Sequence, residues 1–588
     1  MFAYFKEKIL TIYTSKSNLF YSVGVLAILF SIMVLYYKSF LFVKYDAEIS
    51  FIDNDTIYQI EHLASLSSQN HKTYVDTDVD YGIEIIYLSY IVKMILPLVS
   101  GMTVNVFCYY FLYVFHFLFI LLLCLLIFKI FSKFEVGTLN TILFFLVIFS
   151  SVLFFSYSIF IKPDANVVLF FTLLAAYTFS LGKSINHKQR ILQSVFFIAI
   201  GSLTKWWSAF LLPMVLFESK NFSISNRKIV KKILYALNSI AIIYFILLAM
   251  SRLDPVLYSQ IMLGKGKWAY PLAFLGLLYL FFYVTEIIAK RVYAGKGMYD
   301  ILTLFLFYIM LAGSAFFASV TFLNSFVYYT AYLGPKDAGK VDSLGVPFLT
   351  NAREWIYDSI VSGYISPILL ISIILAIVYQ RQKSKPMDQF VRLLVGYLII
   401  INLFLFLFVT KKNHATQAML LPLIWIVLFI IFNSRNHEKL NRFQIVFYVL
   451  VFLQLLTNFV PSIMPYTSTT GTIGSFFRNR VDYPTNLNRF NQEIDKRYAK
   501  DQILYLCDYA IPLDKARSFW VDRYTFRDAE ALSKIVPSGS ILFSIKDEVC
   551  DTTLKTKNSF KYLDEFSITG PGRTGIPIVS TVMIYTRN

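Results

Sequence analysis

Charged residues are scarce in this chain. Only 15% of its 588 residues are Asp, Glu, Lys or Arg, whereas 57% are hydrophobic; a soluble domain carries about 25% charged residues. Apolar runs of about 20 residues, enough to cross a hydrocarbon core of about 30 Å, recur from Leu19 to Val460. This composition excludes an ordinary soluble protein and predicts a polytopic helical membrane protein. The first run, Leu19–Val43, is too long for the core of a signal peptide, so we expect a retained helix.

Cysteine is also rare, with four residues in the whole chain. This number excludes a fold held together by many disulfides. Cys108 and Cys124 lie in apolar runs, where we expect inert, buried thiols. Cys507 and Cys550 lie in the polar carboxyl-terminal part, and we expect them to pair if that part faces an oxidising compartment.

Acidic residues are outnumbered by basic ones, 36 to 54, which leaves a formal net charge of +18. This excess does not indicate a nucleic-acid partner, because membrane proteins concentrate Lys and Arg in short cytoplasmic loops. Seven basic clusters follow that pattern and predict the cytoplasmic side: Lys6/Lys8/Lys16, Lys129/Lys133, Lys183/Lys188/Arg190, Lys220/Arg227/Lys228/Lys231/Lys232, Lys290/Arg291/Lys296, Arg381/Lys383/Lys385 and Arg435/Lys439/Arg442.

Neighbouring cytoplasmic loops must be separated by an even number of crossings. We therefore assign 83–99, which carries Glu84 and Pro97, to an interfacial helix inside an outer loop, 44–103. Ile191–Phe217 has Lys205 near its middle and is predicted to form two short helices that meet at an outer turn. The other crossings are predicted at 19–43, 104–128, 139–156, 165–182, 233–250, 269–289, 300–323, 361–380, 390–409, 417–432 and 443–460.

These assignments predict an all-α membrane domain, residues 1–465, with about thirteen transmembrane helices and a cytoplasmic amino terminus. Residues 466–588 are more polar and predict a small α/β domain outside the cytoplasm. Its predicted strands are Gln502–Leu506, Ser540–Ile545 and Ile576–Ile584, with a helix at Thr525–Ile535. We expect the protein in the plasma membrane or a bacterial inner membrane.

Three short charged clusters then fall on the outer side: Asp53-Asn54-Asp55, Lys162-Pro163-Asp164 and Thr204-Lys205-Trp206. An ionisable group at the rim of a bilayer core is costly unless it has a partner or a function. Cations there suit the phosphate of a polyprenyl-phosphate sugar, because they stabilise the charge that builds on the leaving group. A carboxylate on the other side of the sugar would take the proton of the attacking acceptor.

These motifs resemble those of the GT-C glycosyltransferases, in particular the group that uses dolichyl- or undecaprenyl-phosphate sugars and contains protein O-mannosyltransferases and lipid A aminoarabinose transferases. Asp55-Thr56-Ile57-Tyr58 resembles the acidic motif of their first outer loop, with Thr56 in place of the second acid. Lys162-Pro163-Asp164 resembles the acidic start of their fourth helix, and Leu203-Thr204-Lys205 resembles a turn between short helices. His414 followed by Leu421-Pro422 resembles a basic turn before a helix.

The resemblance implies a fold of about a dozen transmembrane helices with an outer carboxyl-terminal domain. It implies an inverting transfer from a polyprenyl-phosphate sugar, with no nucleotide. Site roles divide into three groups. The catalytic candidates are Asp53, Asp55 and Asp164, with either of the first two as base; the donor-phosphate candidates are Lys162, Lys205, Lys411 and His414; the substrate candidates are Tyr58, Glu84 and Trp206. We see no metal-ligand spacing, although a divalent cation remains open.

Two other classes fit parts of the pattern. An O-antigen polymerase or ligase also uses polyprenol donors on the outer face. A transporter or flippase would show inverted repeats and broken helices meeting at the midplane, of which only Ile191–Phe217 gives a hint. The acceptor, whether glycan, lipid or protein, stays open, as does the sugar.

Overall fold

The computed structural model describes residues 24, 27–34, 84–98, 104–159, 162–181, 187–218, 363–383, 387–408, 414–433, 441–459, 486–499, 501–507, 518–521, 529–555, 559–571 and 577–588, together with single positions in 56–67, 353–360 and 511–513. The predicted crossings 233–250, 269–289 and 300–323 lie outside these residues.

The larger part of the described chain is helical. In chain order the helices are α1 (Glu84–Ile95), α2 (Val104–Lys133), α3 (Thr138–Ser150), α4 (Val152–Ile159), α5 (Leu169–Ser180), α6 (His187–Thr204), α7 (Leu212–Glu218), α8 (Pro367–Gln382), α9 (Gln389–Phe408), α10 (His414–Ile431) and α11 (Arg442–Phe459). Short tight turns adjoin them: a 3-10 helix at Leu96–Leu98, a π-helical turn at Asp164–Val168 and a 3-10 helix at Trp206–Leu211.

Within the described ranges, three helices are long and apolar enough to cross a membrane: α2, α10 and α11. The helices α3 and α4 add a fourth if the pair counts as one span. This finding supports membrane association. The count of about thirteen crossings stays a prediction.

The crossing predicted at 139–156 is not one straight helix. The chain bends by 76° between α3 and α4, because Ser151 takes an extended backbone, with φ −72° and ψ 117°. The amide of Asn458 in α11 donates to the Ser150 hydroxyl at 2.8 Å and to the Val147 carbonyl at 3.2 Å. A break in an apolar helix frees backbone groups that need such partners.

Polar contacts tie several helix ends together at one end of the helical unit, which we call the basic end. Lys133 Nζ donates to the Ser180 carbonyl at 2.7 Å, and Arg190 donates to the Leu181 carbonyl at 2.5 Å. The amide of Asn433 donates to the Phe134 carbonyl at 2.8 Å. Lys133 and Arg190, which belong to two of the basic clusters, therefore lie with these helix ends at the same end of the helical unit.

Aromatic rings fill the interior between α2, α3, α10 and α11. Phe144 contacts Phe131 at 5.1 Å and Phe429 at 5.8 Å between ring centroids, and Phe429 contacts Phe447 at 5.3 Å. In lipid such packing replaces the hydrophobic driving force, because lipid tails are as apolar as the side chains.

The carboxyl-terminal part is a small α/β domain. Its strands are β1 (Leu504–Leu506), β2 (Ser518–Trp520), β3 (Ile541–Ile545), β4 (Phe560–Pro571) and β5 (Pro577–Arg587), and its helices are α12 (Leu487–Arg497), α13 (Ala529–Ile535) and α14 (Val549–Lys555). The sheet order is β2-β1-β3-β5-β4, with β1, β2 and β3 parallel and β5 antiparallel to both neighbours. The predicted strands and helix are all present, whereas β2, β4, α12 and α14 were not predicted.

Alternation along the central strands gives the sheet two apolar faces. Phe543 and Ile584 pack in one cluster, while Leu542 and Tyr585 pack in the other, since successive side chains of a strand point to opposite sides. On the second side a disulfide joins Cys507, just after β1, to Cys550 in α14. This pairing is confirmed. Cys108 and Cys124 are buried thiols without a disulfide, as expected.

Candidate functional site

The centre of the candidate site is Asp164, the first residue of the π-helical turn before α5. Pro163 precedes it with helical dihedrals, φ −67° and ψ −20°, and the Val168 amide donates to the Pro163 carbonyl at 2.9 Å. The wider π turns are rare and are frequently found at functional sites. The Asp164 side chain is completely buried.

Lys205 reaches the same carboxylate from another part of the chain. The helix α6 ends at Thr204, Lys205 is extended with φ −161° and ψ 143°, and the 3-10 helix begins at Trp206. The predicted turn between two short helices is therefore present. Lys205 Nζ lies 2.7 Å from Asp164 Oδ2, and Trp207 Nε1 donates to Asp164 Oδ1 at 2.9 Å.

Burial of this ion pair is asymmetric. The Lys205 side chain keeps 15% of its exposure, whereas Asp164 keeps none. Taking charges out of water costs several kcal/mol per ion, and removing one partner of such a pair costs about 3–5 kcal/mol. Lys205 is thus the more exposed member of the pair. An anion that approaches the pair contacts Lys205 first, rather than Asp164. Lys162, two residues earlier, is also buried.

A layer of uncharged polar groups holds the turn that carries Lys205. Thr172 Oγ1 and Ser208 Oγ lie 2.9 Å apart, and the Tyr397 hydroxyl of α9 donates to the Trp207 carbonyl at 3.1 Å. Gly201 allows the close approach of this segment, because a Cβ there would lie 2.9 Å from Ser208 Cβ. Sequence reasoning missed Thr172, Ser208 and Tyr397, since nothing in their local pattern separates them from ordinary helix residues.

His116 and Asn166 form a second buried pair beside the first. Asn166 belongs to the same π turn as Asp164, and His116 lies in α2. His116 Nδ1 and Asn166 Oδ1 are 3.0 Å apart. Sequence reasoning also missed this pair, although a lone histidine inside a long apolar run is a signal that could have identified it.

The site lies far from the basic end. Ser180, which contacts Lys133, follows Asp164 by sixteen positions. At about 1.5 Å per residue, this is a distance of about 24 Å along the π turn and α5. In a hydrocarbon core of about 30 Å, the ion pair would lie near the boundary opposite to the basic end.

The first outer loop is described only at some positions. Asp53, Asp55 and Tyr58 lie outside the described residues, but Thr56, Gln59 and Leu63 are helical and buried. Ser67, one turn further, lies beside Cys108 near the start of α2. The described positions that follow the two acids therefore pack on the half of α2 remote from Lys133.

Four further candidates from the sequence are His414, Lys411, Glu84 and Trp206. His414 is the first residue of α10, which packs against the π turn. Lys411 lies outside the described residues, as do the side chains of Glu84 and Trp206. Across the described parts of the chain, His, Cys, Asp and Glu residues form no group of three or more that could hold a metal ion.

No protein-family model matches the chain, and no curated protein matches it.

Proposed function

We propose that the protein is a glycosyltransferase that moves a sugar from a polyprenyl-phosphate donor to an acceptor at the outer membrane face. The observation that carries this proposal is the buried Asp164–Lys205 pair at a helix break, about 24 Å from the basic end along the π turn and α5. An ionisable pair inside an apolar helical unit is by default a functional feature. Its distance from the basic end suits a lipid-linked donor, whose phosphate lies at the membrane boundary.

Lys205 has the role of holding the donor phosphate. Its ammonium is the more open member of the pair, so it can share its charge between Asp164 and a phosphate oxygen. The Asp164 oxygens already accept from Lys205 and Trp207. This arrangement favours Asp164 as a positioning residue that aims Lys205, rather than as a base. Lys162, Lys411 and His414 are further candidates for the same phosphate.

The chemistry follows from the donor. An acceptor nucleophile attacks the anomeric carbon and forms the new glycosidic bond. The bond between that carbon and the phosphate oxygen breaks, and the electron pair leaves with the phosphate, where Lys205 stabilises the charge. Asp53 or Asp55 takes the proton of the nucleophile, while Tyr58, Glu84 and Trp206 are candidates for sugar contacts. The acceptor is a glycan, a lipid or a protein.

The membrane topology is part of the proposal. With the basic end in the cytoplasm, as the positive-inside rule requires, the ion pair faces outward and about thirteen helices cross the membrane. The Cys507–Cys550 disulfide supports the same orientation, because disulfides persist in oxidising compartments outside the cytoplasm.

The test is a transfer assay with purified protein in lipid nanodiscs and radiolabelled polyprenyl-phosphate hexoses and pentoses. We expect Lys205→Met to weaken donor binding and to lower transfer at least tenfold. Lys133→Met is the matched control, because Lys133 is a partly buried lysine at the basic end that also holds a helix end. Asp53→Asn and Asp55→Asn identify the base. If neither acid variant changes transfer, neither residue is the base; if wild type transfers no sugar from any donor, the proposed function is wrong.

One observation favours a second candidate, a transporter. Helices break at Ser151 and at Lys205, and broken helices form the substrate sites of many transporters. Such sites lie near the bilayer midplane, however, whereas the Asp164–Lys205 pair lies about 24 Å from the basic end. Movement of a labelled polyprenyl-phosphate sugar between leaflets, without transfer to any acceptor, would favour the transporter.

A further inference from the structure

The His116–Asn166 pair has a defined hydrogen-bonding pattern. The backbone amide of Val167 donates to Asn166 Oδ1 at 2.6 Å, so this atom is the amide oxygen and the neighbouring atom is the NH2 nitrogen. His116 Nδ1 lies 3.0 Å from the same oxygen. Because an oxygen of this kind only accepts, His116 must carry a proton on Nδ1.

Each side chain has a second polar atom, which is Nε2 in His116 and Nδ2 in Asn166. Among the described residues, neither His116 Nε2 nor Asn166 Nδ2 has a hydrogen-bond partner. The exposed fraction is only 3% for His116 and zero for Asn166. A buried polar atom without a partner costs about 1–3 kcal/mol, so two such atoms on adjacent side chains are expected to serve a ligand.

The two atoms select the chemistry of that ligand. With Nδ1 protonated and a neutral amide as its described partner, the imidazole offers a lone pair on Nε2, since a buried imidazolium without an anionic partner is costly. Asn166 Nδ2 offers hydrogen atoms. Hydroxyl groups match both atoms, because one hydroxyl can donate its hydrogen to Nε2 and another can accept from Nδ2. A phosphate oxygen has no hydrogen for Nε2 and fits only half of the pair.

We propose that His116 and Asn166 bind hydroxyls of the donor sugar, beside the Asp164–Lys205 pair that faces its phosphate. This inference rests on the proposed function. It follows from the position of Asn166, two residues after Asp164 in one π turn, since the hydroxyls of a sugar phosphate lie next to its phosphate. The helix α2 thus contributes to recognition of the sugar, and the turn at Lys205 contributes to recognition of the phosphate.

Nitrogen NMR on the full chain with 15N-labelled histidine tests the hydrogen-bonding pattern. The chain has six histidines, so the His116→Gln variant assigns the signal. We expect the Nδ1–H tautomer, and a shift of the Nε2 signal when a polyprenyl-phosphate hexose or pentose is added. Polyprenyl phosphate without a sugar should leave the signal unchanged. The Nε2–H tautomer, equal shifts with both lipids, or no shift with any sugar lipid, as for a site that holds only an ordered water, would overturn the inference.

Binding measurements separate recognition of the sugar from a structural role. We expect Asn166→Leu to weaken binding of a sugar-bearing lipid about tenfold, as for one lost buried hydrogen bond, and to leave binding of polyprenyl phosphate unchanged. Lys205→Met should weaken binding of both lipids. The matched control is Ser194→Ala, which removes a buried hydrogen bond from α6 to the Ala175 carbonyl of α5.

If Asn166→Leu weakens the binding of both lipids equally, Asn166 has a structural role and the inference is refuted. Failure of the proposed function gives a different result. In that case wild type transfers no sugar, while the tautomer and the affinity difference between the two lipids are still measured and still decide the inference about His116 and Asn166.

Discussion

The ion pair between Asp164 and Lys205 leads to a quantitative prediction about stability. In Lys205→Met a completely buried carboxylate loses this cation, while the Trp207 indole still donates to it. Breaking a buried pair in this way costs about 3–5 kcal/mol. In Asp164→Asn the remaining charge is the lysine, whose side chain keeps 15% exposure and can turn its ammonium toward water. We therefore expect Lys205→Met to destabilise the protein more than Asp164→Asn.

The double variant completes the prediction. With both charges removed no uncompensated ion remains, so its loss of stability should be smaller than the sum of the single losses by about 2 kcal/mol or more. The assay is equilibrium unfolding of the full chain in mixed detergent micelles, followed by a thiol-reactive dye. The buried thiols of Cys108 and Cys124 report the unfolding. Additive losses, or an Asp164→Asn variant less stable than Lys205→Met, would refute the reasoning.

Three further predictions concern other parts of the structure. Gly201→Ala should lower the free energy of unfolding by about 1–3 kcal/mol through overpacking and weaken donor binding, because the new Cβ would lie 2.9 Å from Ser208 Cβ. Gly137→Ala is the control in the same assay, because a Cβ at that position has no neighbouring atom within 4 Å. Cys507→Ser should destabilise the carboxyl-terminal domain by about 2–4 kcal/mol, which amide hydrogen exchange of β3 and β5 measures. In cells, a maleimide should label Cys507 of the wild type only after reduction. Labelling without a reductant would contradict the disulfide. Burial raises the pKa of Asp551, but hydrogen bonds from Lys555, Tyr585 and the Asp547 amide outweigh it and leave the pKa below its usual value. Because the pKa is lowered in the folded state, this stabilisation is present above about pH 4 and is lost as the pH falls through the folded-state pKa. In that lower pH range the amide hydrogen exchange of β5 should accelerate in wild type. In Asp551→Asn the exchange rate should change less with pH.

Parts of the site could be predicted because they depend on local sequence. A lysine in the middle of an apolar run, with basic loops on both sides, predicts a helix break, and the chain does break at Lys205. The predicted topology puts Lys205 and Asp164 on the same side of a membrane, and it therefore also predicts that the two residues lie close together. In the structure they form an ion pair. The further expectation, that Asp53 and Asp55 face the same cavity, stays a prediction because these residues lie outside the described part of the chain.

Other parts depend on residues that are remote in the sequence. The bend between α3 and α4, within the crossing predicted at 139–156, was not predicted, and Asn458 supports it from about 300 residues away. Tyr397 likewise supports the Trp207 carbonyl from another helix. The edge strand β4 was missed because charged residues such as Asp564 and Glu565 interrupt its apolar pattern, which is common in edge strands.

The amino-acid sequence by itself determined the helical class of the larger part, the positions of many helices and the small α/β domain at the carboxyl end. Its apolar periodicity and its scarcity of charge are local properties, and the cost of burying charge acts on each segment separately. Only the tertiary structure decided which polar groups meet: Asp164 with Lys205 and Trp207, and His116 with Asn166. The physical reason is that a buried polar group must find its partner in space, and the partner can come from any helix that packs beside it.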